Sequence, residues 1–346
     1  MSGPEITSAA AAELTVTGIG VISPRGHDAS AATLPGAAPS GDWFDYRTEL
    51  GRRGYKYLPA ASQYFLAACN RALRASGGCE HVPAEERGAA VGTNSGAEGL
   101  HSAMDETIVK TGAEDLSPAT APFFSINLFG SRMAMEHAFK GFNLTLTSPR
   151  VAGFEALRTG LRSLRLGRAS WLLAGATEDA LAVLDPGASG SEAGAVALVL
   201  ESAAGAAARG ATSLGELSVR SGFLPPHKAG QPQGTEHARR LLGTALTAGG
   251  GTGGGGTGGP PDEVTAVLDD SPVGRAVTGA LGDTARRVPA GSGCLEPLLQ
   301  AAGALARGGD RSAAVVTAAA TGEVAVCRIT PARTGTAAHR QSDNEA

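Results

Sequence analysis

Aromatic residues are scarce in this chain, at 4% of 346 positions, and lysine is scarcer. Lys56, Lys110, Lys140 and Lys228 leave arginine as 25 of the 29 basic residues. Set against 33 acidic residues, these give a formal charge of −4 with no basic block, which argues against a nucleic-acid-binding surface. Four cysteines (Cys69, Cys79, Cys294, Cys327) without CxxC spacing argue against a disulfide scaffold and a zinc ribbon. No histidines stand at HxxxH or HExxH spacing, so neither a metal nor another cofactor is implied. Long apolar runs are missing too. The uncharged stretch Leu241–Pro261 is mostly glycine, and Leu116–Ser131 is broken by prolines and polar residues, so neither is expected to span a bilayer. The opening MSGPEITSAAAAELTV has no basic region ahead of an apolar run, so a secretory signal is not expected and a soluble cytoplasmic protein is.

Glycine is what the chain has in excess: 50 residues, roughly twice ordinary usage, with no collagen-like period. A hydrophobic content of 42% excludes wholesale disorder. Gly249–Gly259 (GGGTGGGGTGG) matches GxGxxG by accident of composition; no strand precedes it and no Lys-Ser/Thr follows, which favours a surface loop over a phosphate cradle.

Apolar patterning predicts alternating strands and helices. Strands are expected at Leu14–Ser23, Gly88–Thr93, Asn143–Thr147, Trp171–Ala176, Gly194–Glu201, Leu214–Phe223, Val264–Leu268 and within Ala313–Ile329. Helices are expected at about Leu58–Ser76, stopped by Gly77-Gly78, at Arg132–Ala138, from Gly153 to Leu166, near His237–Ala248 and at Cys294–Ala306. This is an α/β pattern with buried sheets. Residues 1–12 are expected to be a disordered arm and 331–346 a disordered tail, around one domain at 13–330 with halves at about 13–201 and 210–330.

Three segments, in order, resemble the β-ketoacyl synthase branch of the thiolase fold, including the chain-length-factor subunits of type II polyketide synthases. VTGIGVISPRG (Val16–Gly26) resembles that family's opening strand, VTGxGxxxPxG. APFFSINLFGSRMAM (Ala121–Met135) is similar to its FPNTVxNxxxGxxAI segment, with Pro122 and Asn127 in register. NLTLTSPRVAGFEAL (Asn143–Leu157) aligns without a gap on its NxTxSTACASGxxAL nucleophile elbow. Gly51–Leu73, Ala195–Glu201 and, more weakly, Arg286–Leu305 fit the same template. The resemblance implies an α/β thiolase-like fold, two pseudo-repeated halves stacked as αβαβα layers, shortened between Ala176 and Ser191 relative to active synthases.

It also implies what is missing. The family condenses acyl thioesters with an elbow cysteine, activated at a helix N-terminus, and two histidines. Here the cysteine position holds Arg150, which cannot accept an acyl group at neutral pH. The histidine of HGTGT falls on Asp270 in VLDDSPVGR, and that of KxxTGH falls near Glu296 and Pro297. No catalytic residue is assigned. A cation at a helix N-terminus needs an anion, and Asp270 or Glu296 is expected to neutralise Arg150 as a plug. The alternative is that Arg150 holds a malonyl carboxylate or a pantetheine phosphate. Asp270 beside Asp269 is either a general base or a solvated turn. Cys294 is either a thiol activated at a helix start or a buried structural one. Ser148 has no histidine near it in sequence. Phe123, Phe124, Phe129 and Met133 either pack the core or, as the resemblance implies, narrow an acyl tunnel. The strand carrying Asn143 and Thr145 lies near the two-fold axis in thiolase-fold dimers. The expectation is therefore a catalytically degenerate subunit pairing with an active ketosynthase and meeting an acyl carrier protein through it. The alternative is a repurposed acyltransferase, cyclase or malonyl decarboxylase using Arg150, Asp270 and Cys294 or Glu296; a decayed homodimer without function also stays open.

Overall fold

The computed structural model describes residues 13–33, 43–118, 120, 123, 125–181, 188–247 and 259–332. The expected arm 1–12, residues 249–258 of the glycine loop, Pro122, Phe124 and residues 333–346 lie outside the described residues.

The first half runs β1 (Leu14–Ile22), α1 (Tyr46–Glu49), α2 (Ala60–Ser76), β2 (Arg87–Gly92), α3 (Glu98–Lys110), α4 (Leu128–Glu136), β3 (Asn143–Leu146), α5 (Ala152–Arg165), β4 (Trp171–Glu178) and β5 (Gly194–Ser202). The second runs α6 (Ala203–Ala208), β6 (Gly215–Phe223), α7 (Pro226–Ala229), α8 (Gly234–Thr247), β7 (Glu263–Leu268), α9 (Pro272–Leu281), β8 (Ala285–Pro289), α10 (Leu295–Arg307), β9 (Ala313–Ala318) and β10 (Glu323–Pro331). Strand order is β3-β2-β4-β5-β1 in one half and β8-β7-β9-β10-β6 in the other, joined at a single pair, Val16 with Gly215. Each half has two parallel pairs followed by two antiparallel ones, so the second half repeats the first strand for strand.

Strands buried on both faces explain the unbroken apolar runs. On β5, Val196, Leu198 and Leu200 face a central core with Phe154, Leu157 and Leu161 of α5 and Leu298, Leu299 and Leu305 of α10. The alternate residues Ala195, Ala197 and Val199 face an outer core with Phe65, Leu66 and Ala68 of α2. β10 splits likewise: Ala325, Cys327 and Ile329 point to the centre, Val324 and Val326 to a third core under α8 and α9. Three cores between five layers give the αβαβα stack. Glycine lets the layers approach: a Cβ on Gly20 would lie 1.9 Å from the Ala68 carbonyl oxygen.

The helical period misses α3, none of whose residues is buried, and α9, which begins at Ser271-Pro272. Pro331, placed in the expected tail, pairs with Gly215 on β6, and the Ala332 amide donates to the Leu214 carbonyl.

Candidate functional site

Arg150 sits between β3 and α5 in the left-handed region, φ +60°, where only one other described non-glycine residue is found. Such a conformation costs an L-residue about 1–2 kcal/mol. The Val151 amide closes the sharp turn onto the Pro149 carbonyl at 2.6 Å. The elbow geometry is thus present, with arginine at its apex.

That arginine is occupied. Its side chain is only 12% exposed, and one terminal nitrogen, Nη1, lies 2.7 Å from Asp269 Oδ2 and donates to the Ala318 carbonyl at 3.4 Å. The other, Nη2, donates to the Gly291 carbonyl at 2.9 Å, while Nε is enclosed without a partner. Four elements therefore meet on one guanidinium: the elbow, the ends of β7 and β9, and the loop before α10.

The anion that answers Arg150 is Asp269, not Asp270 or Glu296 as the alignment implies. Asp270 is exposed, and its backbone carbonyl accepts from Arg275. Partial burial works against the Asp269 carboxylate, but bonds from Ser271 and the charge of Arg150 outweigh it and hold its pKa below the usual value. Leaving β7 at Leu268, the chain turns once before α9, and that turn decides which of two adjacent aspartates faces inward. Glu296 is mostly buried and turned elsewhere: it pairs with Arg25 and accepts from the Gln300 amide at 2.7 Å. Pro297 is buried in the first turn of α10.

Cys294 caps α10 but is fully buried. Burial first, then the charges of Glu178 and Glu192, push its thiol well above the ordinary range, the reverse of activation.

Glu178 and Glu192 escaped the sequence reading. Glu178 ends β4 with 0% exposure. It accepts from the Asn94 amide (2.8 Å), the Ser95 amide (2.7 Å), the Ser95 hydroxyl (2.8 Å) and the Cys294 amide (2.8 Å). A buried carboxylate so surrounded ties the loop after β2 to the start of α10. Its sequence signal was an acid closing the apolar run WLLAGATE. Glu192 gives no such signal, because its partners are more than 100 residues away.

Phe129 and Met133 of α4 are buried in the outer core against α2, and Phe123 packs partly buried on the same cluster. Asn143 and Thr145 lie on β3, whose only strand partner among the described residues is β2. Asn143 is exposed, and the Thr145 hydroxyl is enclosed without a partner.

Residues 39–201 match the model of the beta-ketoacyl synthase N-terminal domain. The whole fold is similar to that of a ketosynthase complex, AntDE:AntF, described as a type II PKS acyl-carrier protein with its ketosynthase bound to the hexaketide. That match has TM-score 0.69 and 18% identity and covers 93% of this chain and 100% of that one. The ishigamide ketosynthase/chain length factor matches at TM-score 0.68 and 23% identity over 92% and 99% of the two chains. A beta-ketoacyl synthase from Burkholderia phymatum STM815 matches at 0.67 and 15% over 93% and 100%. No curated protein matches this sequence closely enough to be called a relative. These likenesses give the chain a ketosynthase fold with the synthase N-terminal signature.

Proposed function

We propose that this chain, built on a ketosynthase fold, is a non-catalytic, chain-length-factor-like subunit. It pairs with an active ketosynthase and shapes the acyl chamber of a polyketide or related fatty-acyl assembly line. The carrying observation is the elbow: the strained turn is kept, but its apex holds an arginine bound to Asp269 and two backbone carbonyls. The arginine accepts no acyl group at neutral pH, the Asp269 carboxylate is engaged in the ion pair, and burial beside Glu178 and Glu192 pushes the Cys294 thiol well above its ordinary range.

Two further observations support pairing. Among the described residues nothing pairs with the outer edge of β3 at one end of the sheet, and exposed sheet edges in soluble proteins are covered or blunted. The relatives in fold include a ketosynthase/chain length factor and a ketosynthase with its carrier protein. The carrier protein is assigned to the partner subunit's catalytic face rather than to this chain. Among the described residues no helix is long and apolar enough to cross a membrane, in keeping with work in the cytoplasm.

Co-expression with an active type II ketosynthase from the same source tests the reading. A stable complex should co-purify and make product, and the ketosynthase alone should lose yield or chain-length control. If the two proteins never associate and product is unchanged without this chain, the proposal fails.

A further inference from the structure

Among the described residues, the only carboxyl oxygen enclosed without a partner is Oε1 of Glu192. Its other oxygen, Oε2, accepts from the Leu295 amide at 2.7 Å and, at 3.4 Å, from that of Glu296. The preceding amide, Cys294, donates to Glu178. Two carboxyl groups, one at the end of β4 and one in the loop before β5, thus share successive N–H groups at the start of α10.

They are not equivalent. Both oxygens of Glu178 are filled by donors from the loop after β2, the setting of an anion. Glu192 has donors on one oxygen only, in an enclosed space beside that anion, the setting of a neutral acid. Burial first, then the Glu178 charge, raise its pKa to about 8, against the pull of the α10 amides. The remaining groups facing it are Glu296, paired with Arg25, and the Cys294 thiol.

The loop before α10 is wrapped tightly on this pair. A Cβ at Gly291 would come within 2.6 Å of Glu192 Oε1, and one at Gly293 within 2.7 Å of Oε2 and 2.8 Å of Glu178 Cγ. The Ser292 amide donates to the Gly190 carbonyl at 2.7 Å. The same loop supplies the Gly291 carbonyl that holds Arg150.

We propose that Glu192 is a neutral-acid latch: its single proton lets two carboxyl groups pin the 290–293 loop and the first turn of α10, and loss of that proton loosens the loop that holds Arg150. Ionised, Glu192 sets a second buried charge against Glu178, and the desolvation and repulsion fall on the loop between them. The latch is independent of which partner the chain has.

The sign follows from linkage. The folded state keeps the proton that the unfolded chain loses near 4.5, so this contribution to stability is full below 4.5 and gone above about 8. The test is the folding equilibrium constant of the full chain from pH 5 to 9, for wild type and Glu192→Gln. The ratio of variant to wild type should rise about tenfold per pH unit and level off near 8. With Glu178→Gln in both proteins, the levelling should move to lower pH. Hydrogen exchange at the Leu295 amide, corrected for its intrinsic rate, should quicken across the same window. Carbon NMR of glutamate carboxyls in the wild type serves if a variant does not fold, with Glu192 expected to titrate near 8. A pH-independent ratio, unchanged Leu295 exchange, or a Glu192 carboxyl titrating below 6 would overturn the latch.

Discussion

At the scale of the residue, Arg150 combines a backbone strain with a side chain that repays it through three contacts. Removing the side chain leaves Asp269 half-buried and without its cation, which costs about 1–3 kcal/mol at a site open on one side. Glycine at the same position relieves the left-handed backbone, so Arg150→Gly should be more stable than Arg150→Ala by about 1 kcal/mol, read from denaturant unfolding. Arg150→Cys restores the residue type of an elbow nucleophile but not a site. Among the described residues no histidine is a partner of Arg150, Asp269 or Cys294. The variant should take up no more acyl group from an acyl thioester than the wild type, measured by mass spectrometry of the intact protein. Stoichiometric acylation of the introduced thiol would show that the pocket still activates a nucleophile.

At the scale of the element, the starts of α9 and α10 hold the site together. Ser271 caps α9, accepting from the Gly274 amide at 3.0 Å, and bonds Asp269 as well. Ser271→Ala should therefore cost about 1–2 kcal/mol, near the upper end for a cap, because it removes the helix cap and a support of the Arg150 partner together. Glu178 is the more demanding case, since five donors, counting the Thr93 hydroxyl at 3.4 Å, lose their acceptor at once. Glu178→Ala should cost about 3–5 kcal/mol and lower the melting temperature by about 5 °C or more. A loss under about 1 kcal/mol would mean water replaces the carboxylate. α2 was readable because its buried face and Gly77 stop are local signals. α3 was not, because an exposed helix carries no apolar stripe to read.

For the whole molecule, the question is what covers β3. Phe142 and Leu146 give their carbonyls to Ala89 and Thr93 of the β2 side, which leaves the backbone groups of Asn143 and Thr145 directed outward. Thr145→Pro removes an outward N–H and spares the ladder to β2. It should weaken association with the ketosynthase by about tenfold or more in analytical ultracentrifugation while leaving monomer unfolding within about 1 kcal/mol. Undiminished association would place the interface elsewhere and leave the free edge without explanation.

The layered α/β architecture could be read from the sequence, because period-two burial and glycine stops are written in consecutive residues. The sequence also places Arg150 where the resemblance calls for the elbow cysteine, and the structure puts it at the apex of that turn. Tertiary structure alone decided which acid meets that arginine. Asp269 and Asp270 are chemically identical neighbours, and only the turn from β7 into α9 aims one inward and the other to solvent. It also decided that Glu296 serves Arg25, that Cys294 is buried, and that Glu178 and Glu192 meet at α10. Those contacts join residues more than 80 positions apart, a distance over which composition and spacing carry no record of contact.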